Sequence, residues 1–390
     1  MSEGSASRCT AARVAIAGGG FAALESALAL RALAEDKVEL TLISPSGTFA
    51  YRPAATAAVF GAAQPVSYDL RQIAADIGAR YQGFALEAIS PAAQRLRLAS
   101  GLTLDYDALI LATGARAVAA VPGALTFRDE RDIPRLSAVL DQLGTHALRR
   151  LVFAVPSART WALPVYELAL MSAHHATSHG ACTQIVIATP ERTPLAIFGD
   201  APSSAVAELL LEREIQFVGG VIPHSVGRGG SLSLQFGGSV KADQVVALSE
   251  LHATRIAGIP ASWSGFIPTD PYGRVEGLAN VFAAGDVTTF PVKQGGIAAQ
   301  QADRVAHTIA AGIGAPVKAL HGPTVLRARL LTGDGALVLR TELDALGRPV
   351  AGSIQHRESR QAEDLKVFGR YVTPYLSLHG ARLRDAGVAA

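Results

Sequence analysis

Hydrophobic and polar positions divide the chain into short apolar runs, small-residue turns and longer Ala/Leu-rich stretches. Residues 13–33, RVAIAGGGFAALESALALRAL, pass from an apolar run through three glycines into a helical pattern, and predict a buried strand, a tight turn and a helix. VELTLIS at 38–44 predicts a second strand, 70–77 a helix, 85–103 a hairpin turning at a proline, and 106–111 a buried strand within LDYDALILATGARA. From about Val121 the alternation restarts, with a helix over 134–143 whose Pro134 suits a first turn, then the strand LVFAV at 151–155. The strand QIVIATPE, the helix SSAVAELLLEREI, a hairpin through Gly229, Gly230, Gly237 and Gly238, and the strand DQVVAL follow. A third unit, ANVFAAGDVTTFPVKQGGIAAQQADRV at 279–305, predicts a strand ending at Gly285 and Asp286 and a helix opening at Gly295 and Gly296. The remainder predicts strands over 325–331 and 336–343, a polar stretch QHRESRQAEDLK, and a helix in VFGRYVTPYLSLHGARL that Pro374 interrupts.

Repeated strand–helix alternation is the pattern of α/β folds with parallel sheets. At 390 residues, two or three domains are expected. A net charge of +2 without Lys/Arg runs gives no footprint for nucleic acid. Hydrophobic residues make up 49% of the chain, but many are alanine, and the charge-free segment 53–68 is broken by Pro, Gly, Gln and Ser and is too short to span a bilayer. No integral membrane segment is predicted. The leader MSEGSASRCTAAR has no apolar core of a signal peptide, and the two cysteines, Cys9 and Cys182, are distant and outside any C-x-x-C arrangement. A reduced, cytoplasmic setting and no metal site are expected.

Chemistry concentrates in three places. In the first, Gly18 permits a sharp turn out of the strand, Gly20 leaves no side chain between backbone and ligand, and Ala23 lets the helix pack closely on the strand. Such a turn suits a pyrophosphate, which the amides of Phe21 and Ala22 and the positive helix end would face. The acid expected about 20 residues later is replaced by Ser44, which can still bond a ribose hydroxyl. In the second, Thr113 and Gly114 give small residues at a strand end. In the third, Asp286 lies at a strand's carboxyl end, where open α/β sheets bind ligands, and can accept hydrogen bonds from a polyol. The amides at Gly295 and Gly296 open onto the same crevice. Arg52, in the loop-rich segment 49–68, reads either as a solvated arginine or as a contact to phosphate or flavin.

AGGGFAALE at 17–25, YDALILATGA at 106–115 and VFAAGDVTTFPVKQGG at 281–296 together resemble the two-dinucleotide-binding-domain FAD flavoproteins of the pyridine nucleotide-disulfide oxidoreductase superfamily. Within them the chain looks most like the branch of sulfide:quinone oxidoreductases, flavocytochrome c sulfide dehydrogenases and type II NADH dehydrogenases. The resemblance implies two Rossmann-like domains plus a small C-terminal α+β domain. Residues 1–120 and 252–314 would form a discontinuous FAD domain, 121–251 a degenerate NAD-type domain, and 315–390 an interface domain. It also implies that Gly18, Gly20 and Ala23 hold the FAD pyrophosphate, that Thr113 and Gly114 line a second pass, that Gly285 and Asp286 meet the ribityl chain, and that Lys293, Gln294, Gly295 and Gly296 lie by the isoalloxazine pyrimidine edge. Glu25 matches a family position and reads as local helix support.

The departures shape the expected activity. Where the sulfide enzymes place a cysteine, this chain has Thr160 and Trp161, so dithiol or persulfide chemistry is not expected. The second domain's first turn, Pro156, Ser157, Ala158 and Arg159, has no glycine, which leaves NAD(P)H use doubtful, with Glu191 or Arg192 as remaining ribose or phosphate contacts. The quinone-side run keeps Gln300 and Gln301 only. Candidate catalytic residues are Lys293, Trp161, set against core packing, and Glu167, which with Tyr166 reads first as part of a solvated helix face. The pair His175 and His179, beside His174, reads as a helix end rather than a metal site. The C-terminal helix reads as core or subunit packing in preference to a membrane anchor. The expected activity is an FAD-dependent dehydrogenase or oxidase acting on a small molecule. Rivals are NAD(P)H:quinone reduction and an electron-transfer subunit or redox sensor. Quinone, oxygen or another protein would accept the electrons, and a homo-oligomer is one expected state.

Overall fold

The structure, a computed structural model, describes residues 11–144, 147–350, 353–359 and 366–387. Cys9 and part of the polar stretch before Lys366 lie outside the described residues. In chain order, β1 (Ala12–Ala17), α1 (Phe21–Ala34), β2 (Val38–Ile43), α2 (Ala55–Val59), α3 (Leu70–Asp76), β3 (Arg80–Gln82) and β4 (Ala108–Leu111) begin the first domain. The second contains β5 (Arg116–Ala119), β6 (Leu125–Phe127), α4 (Ile133–Gly144), β7 (Arg150–Ala154), α5 (Leu163–Ser178), β8 (Gln184–Ala188), α6 (Asp200–Glu212), β9 (Gln216–Val218) and β10 (Gln244–His252). The chain then returns to the first domain through β11 (Val281–Ala283) and α7 (Gly295–Gly312), and ends with β12 (Thr324–Leu331), β13 (Gly335–Leu343), β14 (Ile354–Ser359) and α8 (Val372–Gly387).

The first sheet is parallel with order β11-β4-β1-β2-β3. Its central strands are continuous apolar runs because both faces are covered, one by α1, α3 and α7 and the other by the antiparallel strands at Leu86–Ser90 and Arg95–Leu98 and by Ile256, Ile267 and Val275, and every residue of β4 is buried. Val14 pairs with Leu40 on one side and Ala108 on the other, so β1 is central. Strand order reverses between β1 and β4, and ligands bind at the carboxyl end of such a switch point. The second sheet repeats the plan as β5-β10-β7-β8-β9, with β5 antiparallel and β6 also paired to β10. Since β5 pairs Arg116 with His252, strand pairing already passes to the second sheet just after Gly114.

The hairpin expected within 85–103 is present, with Leu86–Ser90 pairing antiparallel to Arg95–Leu98. The last domain differs from expectation in two respects. The polar stretch carries a third strand, β14, antiparallel to β13. Its charges alternate along an exposed edge, where polar side chains suit a strand without marking it by hydrophobicity. Pro374 does not interrupt α8, which starts at Val372 and takes the proline into its first turn, where the missing N–H is harmless. Val372 and Leu376 are buried in the first domain's core, and the Tyr68 hydroxyl donates to the Leu376 carbonyl at 3.2 Å. No described helix is long and apolar enough to cross a membrane.

Glu25 fastens the two ends of the chain together. Its fully buried carboxylate accepts the backbone N–H groups of Arg370 (2.7 Å), Tyr371 (3.0 Å) and Val372 (2.7 Å), just before and at the start of α8. Burial pushes its pKa up and those three bonds pull it down. The expected local helix support is therefore a long-range cap that spans more than three hundred positions. Glu25→Ala leaves these buried donors without an acceptor, at about 1–3 kcal/mol each. Its urea midpoint should fall by the equivalent of about 3 kcal/mol, with Glu25→Gln intermediate, and an unchanged midpoint would contradict the cap.

Candidate active site at the glycine turn and the domain crevice

Close packing fixes the glycine turn. Gly18 adopts φ +144°, and a Cβ there would lie 2.0 Å from the Ala112 carbonyl oxygen, so only glycine lets β1 and β4 stay adjacent at their carboxyl ends. A Cβ at Gly19 would lie 2.7 Å from Ser44 Oγ, which places Ser44 directly beneath the turn. Gly20 differs, because nothing lies within 4 Å of its would-be Cβ. It is the N-cap of α1, no side chain caps that helix, and no acid occupies the first turn. An open surface, uncapped amides and a positive helix end are what an anionic pyrophosphate requires. Phe21 contributes backbone only, since its ring packs edge-on against Phe49 (5.0 Å) and Tyr51 (5.7 Å). Ala22 is buried, and a Cβ on Gly285 would come within 3.1 Å of its methyl, so these two positions let α1 approach the third motif. Thr113 is exposed, and Gly114, at φ +70°, has open space beside it.

The third motif brings Asp286, Lys293 and Arg52 into one electrostatic group. Among the described residues the Asp286 carboxyl has no hydrogen-bond partner; burial raises its pKa, while Lys293 and then Arg52 pull it down. A desolvated carboxylate with free acceptor positions suits polyol hydroxyls. Lys293 donates to the Thr288 carbonyl and lies 4.1 Å from the Phe266 ring centroid, and burial lowers its pKa to about 8 against the opposing pull of Asp286. The mouth of α7 is more occupied than expected. Gln294 Oε1 already accepts the Ile297 N–H at 2.9 Å, and a Cβ on Gly295 would press on Phe21 and Val367, which leaves the Gly295 and Gly296 amides as the free donors. Gln300 pairs in both directions with the backbone of Val325, and Gln301 accepts the Gly285 N–H at 2.7 Å. Both glutamines therefore serve the scaffold.

The second domain supplies the opposite wall. Trp161, half-buried, packs against Phe198 at 6.1 Å and borders the core that also takes in Val292 and Ile297. Tyr166 and Glu167 do not form a solvated face. Tyr166 is fully buried and donates to Glu191 at 2.6 Å, and burial raises the Glu191 pKa to about 7. Glu191, expected as a ribose contact, is instead turned inward, while Arg192 is exposed. Glu167, 2% exposed, accepts from Lys366 Nζ at 2.6 Å, from Thr56 Oγ1 at 2.8 Å and from the Leu331 N–H at 3.3 Å. One carboxylate thus joins α5, α2, β12 and the chain's final segment. Lys366 and Thr56 escaped the sequence reading because their partners are far away in sequence; a lysine beside the apolar Val367 was the only local sign.

Cys182 is exposed two residues before the amino end of β8, the edge of the sheet opposite the crevice. The rings of His175 and His179 lie 4.2 Å apart, tilted by 37°, and among the described residues no group of three or more His, Cys, Asp or Glu could hold a metal.

Paired switch-point sheets, an open uncapped glycine turn and a desolvated carboxylate and lysine at the crevice define an FAD-dependent oxidoreductase. Residues 12–152 match the family described as pyridine nucleotide-disulphide oxidoreductase. Its fold is similar to that of the sulfide:quinone oxidoreductase from the hyperthermophilic bacterium Aquifex aeolicus, with a TM-score of 0.78 and 21% identity over 89% of this chain and 87% of that one. It is also similar to the ferredoxin reductase for the CYP199A2 system from Rhodopseudomonas palustris, with a TM-score of 0.66 and 21% identity over 85% and 82%. An engineered water-forming NADPH oxidase aligns with a TM-score of 0.61 and 15% identity over 84% and 75%. None of the curated protein sequences compared with the chain matches it.

Two outcomes follow from this geometry. Glu167→Ala should destabilise the protein by about 3–5 kcal/mol by leaving the Lys366 ammonium buried and unpaired. The double change Glu167→Leu with Lys366→Met should recover most of that loss, as read by chemical denaturation. For Lys293, a pKa of about 8 means that the ammonium is charged below that pH and neutral above it. If reduction of the flavin favours the charged form, proton uptake steepens the fall of the potential above about pH 8 by about 30 mV per pH unit for a two-electron couple. That inflection should vanish in Lys293→Ala, and a mutant with the wild-type pH profile would remove Lys293 from the flavin's surroundings.

Proposed function

We propose that the protein exchanges electrons between FAD and a small organic molecule bound in the crevice, without a redox-active disulfide. FAD, when bound, supplies two-electron exchange. Gly18, Gly20 and the amides of Phe21 and Ala22 would hold its pyrophosphate over Ala23 and Ser44; Thr113, Gly114, Gly285 and Asp286 would line its sugar chain. Lys293, with the amides of Gly295 and Gly296 beside Gln294, would place positive charge at the ring's pyrimidine edge, and Arg52 adds to the same field. Glu167, the remaining acid/base candidate, is held in place by Lys366, Thr56 and the Leu331 N–H.

The observation that carries this reading is the altered wall of the second domain. The turn after β7 has no glycine, Trp161 fills space against Phe198, and Glu191 is bonded to Tyr166 rather than free for a ribose. A small molecule at this wall is favoured over nicotinamide. The lone described cysteine lies at the far edge of its sheet, which supports direct exchange rather than thiol chemistry. The quinone-reductase alternative loses its two glutamines to scaffold bonds. A reduced, cytoplasmic setting is kept from the cysteine usage.

Anaerobic mixing of the FAD-loaded protein with NADH and then NADPH tests the proposal. Slow or absent bleaching, with dithionite still reducing the flavin, is expected. Fast bleaching by either nucleotide would transfer the reading to a nicotinamide-dependent reductase.

A further inference from the structure

We infer that Arg159 and Trp263 form the recognition point for an acidic group on the substrate, so that the molecule entering the crevice is a small organic acid with a planar or apolar body. This deepens the proposed function and rests on it.

Arg159 lies on the turn over residues 157–160 at the carboxyl end of β7, beside the second sheet's reversal between β7 and β10. That is where this fold presents groups to a ligand. The turn is held by the Thr160 N–H donating to the Ser157 carbonyl at 3.0 Å and by the two hydroxyls at 3.2 Å. Several arginines elsewhere in the structure pair with carboxylates, among them Arg13, Arg80, Arg128, Arg131 and Arg348. Arg159 is exposed and has no carboxylate in ion-pair range among the described residues. Its guanidinium instead lies 5.2 Å from the centroid of Trp263.

Trp263 is 84% exposed, an unusual position for a ring of that size. It is held there by a built turn. The Ser262 N–H donates to the Phe266 carbonyl at 2.8 Å, the Gly265 N–H to the Ser262 carbonyl at 2.9 Å, and Gly265 adopts φ +87°. The same turn ends at Phe266, under Lys293, and Ile267 donates its N–H to the Val287 carbonyl, one residue past Asp286. One short loop therefore sets a cation on an aromatic face at each end, with Arg159 outside and Lys293 inside. Stacking orders a guanidinium while leaving its in-plane N–H groups free, the arrangement that takes a carboxylate in bidentate fashion. The exposed indole offers a second face to an apolar body. A nucleotide phosphate is the other anion an arginine at this turn could take, but the inward-turned Glu191 and the missing glycine favour the smaller acid.

Calorimetric titration of the FAD-loaded full chain with benzoate, and with benzamide as its neutral counterpart, tests the inference. Benzoate should bind at least tenfold more tightly than benzamide. Arg159→Ala should weaken benzoate tenfold or more, Arg159→Lys should recover only part of that loss, and Trp263→Ala should weaken both ligands several-fold. Both positions are exposed, so thermal midpoints should stay near the wild-type value. Equal affinity for benzoate and benzamide, or unchanged benzoate affinity in Arg159→Ala, would overturn the inference while leaving the proposed function intact. NADPH binding that Arg159→Ala abolishes would overturn it in favour of a phosphate anchor. Fast bleaching of the wild-type flavin by NADPH would remove the proposed function itself, whatever benzoate does.

Discussion

Everything around the glycine turn depends on one close approach, the Gly18 backbone against the carbonyl of Ala112. With a side chain at that point, β1 and β4 could not converge, and the strand-order reversal that creates the crevice would lose its floor. The packing propagates outward. Ser44 sits under Gly19, Ala22 meets Gly285, and Gln301 reaches from α7 to the Gly285 amide. Small residues at these positions are one solution to a single steric problem, which is why they recur in three stretches far apart in the sequence. The exposed face that remains, at Gly20, is open because the buried face is full.

The second domain keeps the same sheet plan and has changed its contents. Parallel pairing of β7 with β8 and β10 preserves the scaffold, since buried apolar strands need only one another and the layers packed on them, helices on one face and the antiparallel segment around Leu232 on the other. Ligand contacts are made by the turns, which the sheet does not constrain. Tyr166 and Glu191 close inward where a ribose would approach, and burial draws Glu191 toward neutrality near pH 7. A fold can therefore hold its topology whatever residues its turns carry.

Local patterns predicted local outcomes. The glycine turn, the apolar strands and the helix openings were legible because periodicity and turn residues act over a few positions. β14 was missed because an exposed edge strand carries polar residues, and Pro374 misled because a proline in a first turn looks the same in sequence as one that breaks a helix. Glu167 was misread for a deeper reason. Its burial is set by Lys366 and Thr56, which lie 199 and 111 positions away, so nothing beside it signals that the charge is compensated. The same holds for Glu25, whose partners are the amides of 370–372.

That last tie bears on how the chain comes into being. α1 is among the first elements synthesised, yet its buried carboxylate has no acceptor duty to perform until residues 370–372 exist, and the first sheet lacks its edge strand until β11 has been made. On the ribosome the second domain, continuous in sequence, has its whole strand set before the first does. The first domain must wait, with a carboxyl group poised in its helix, for residues 370–372. Until residues 370–372 are made, the Glu25 carboxylate lacks the three backbone donors that hold it in the folded chain.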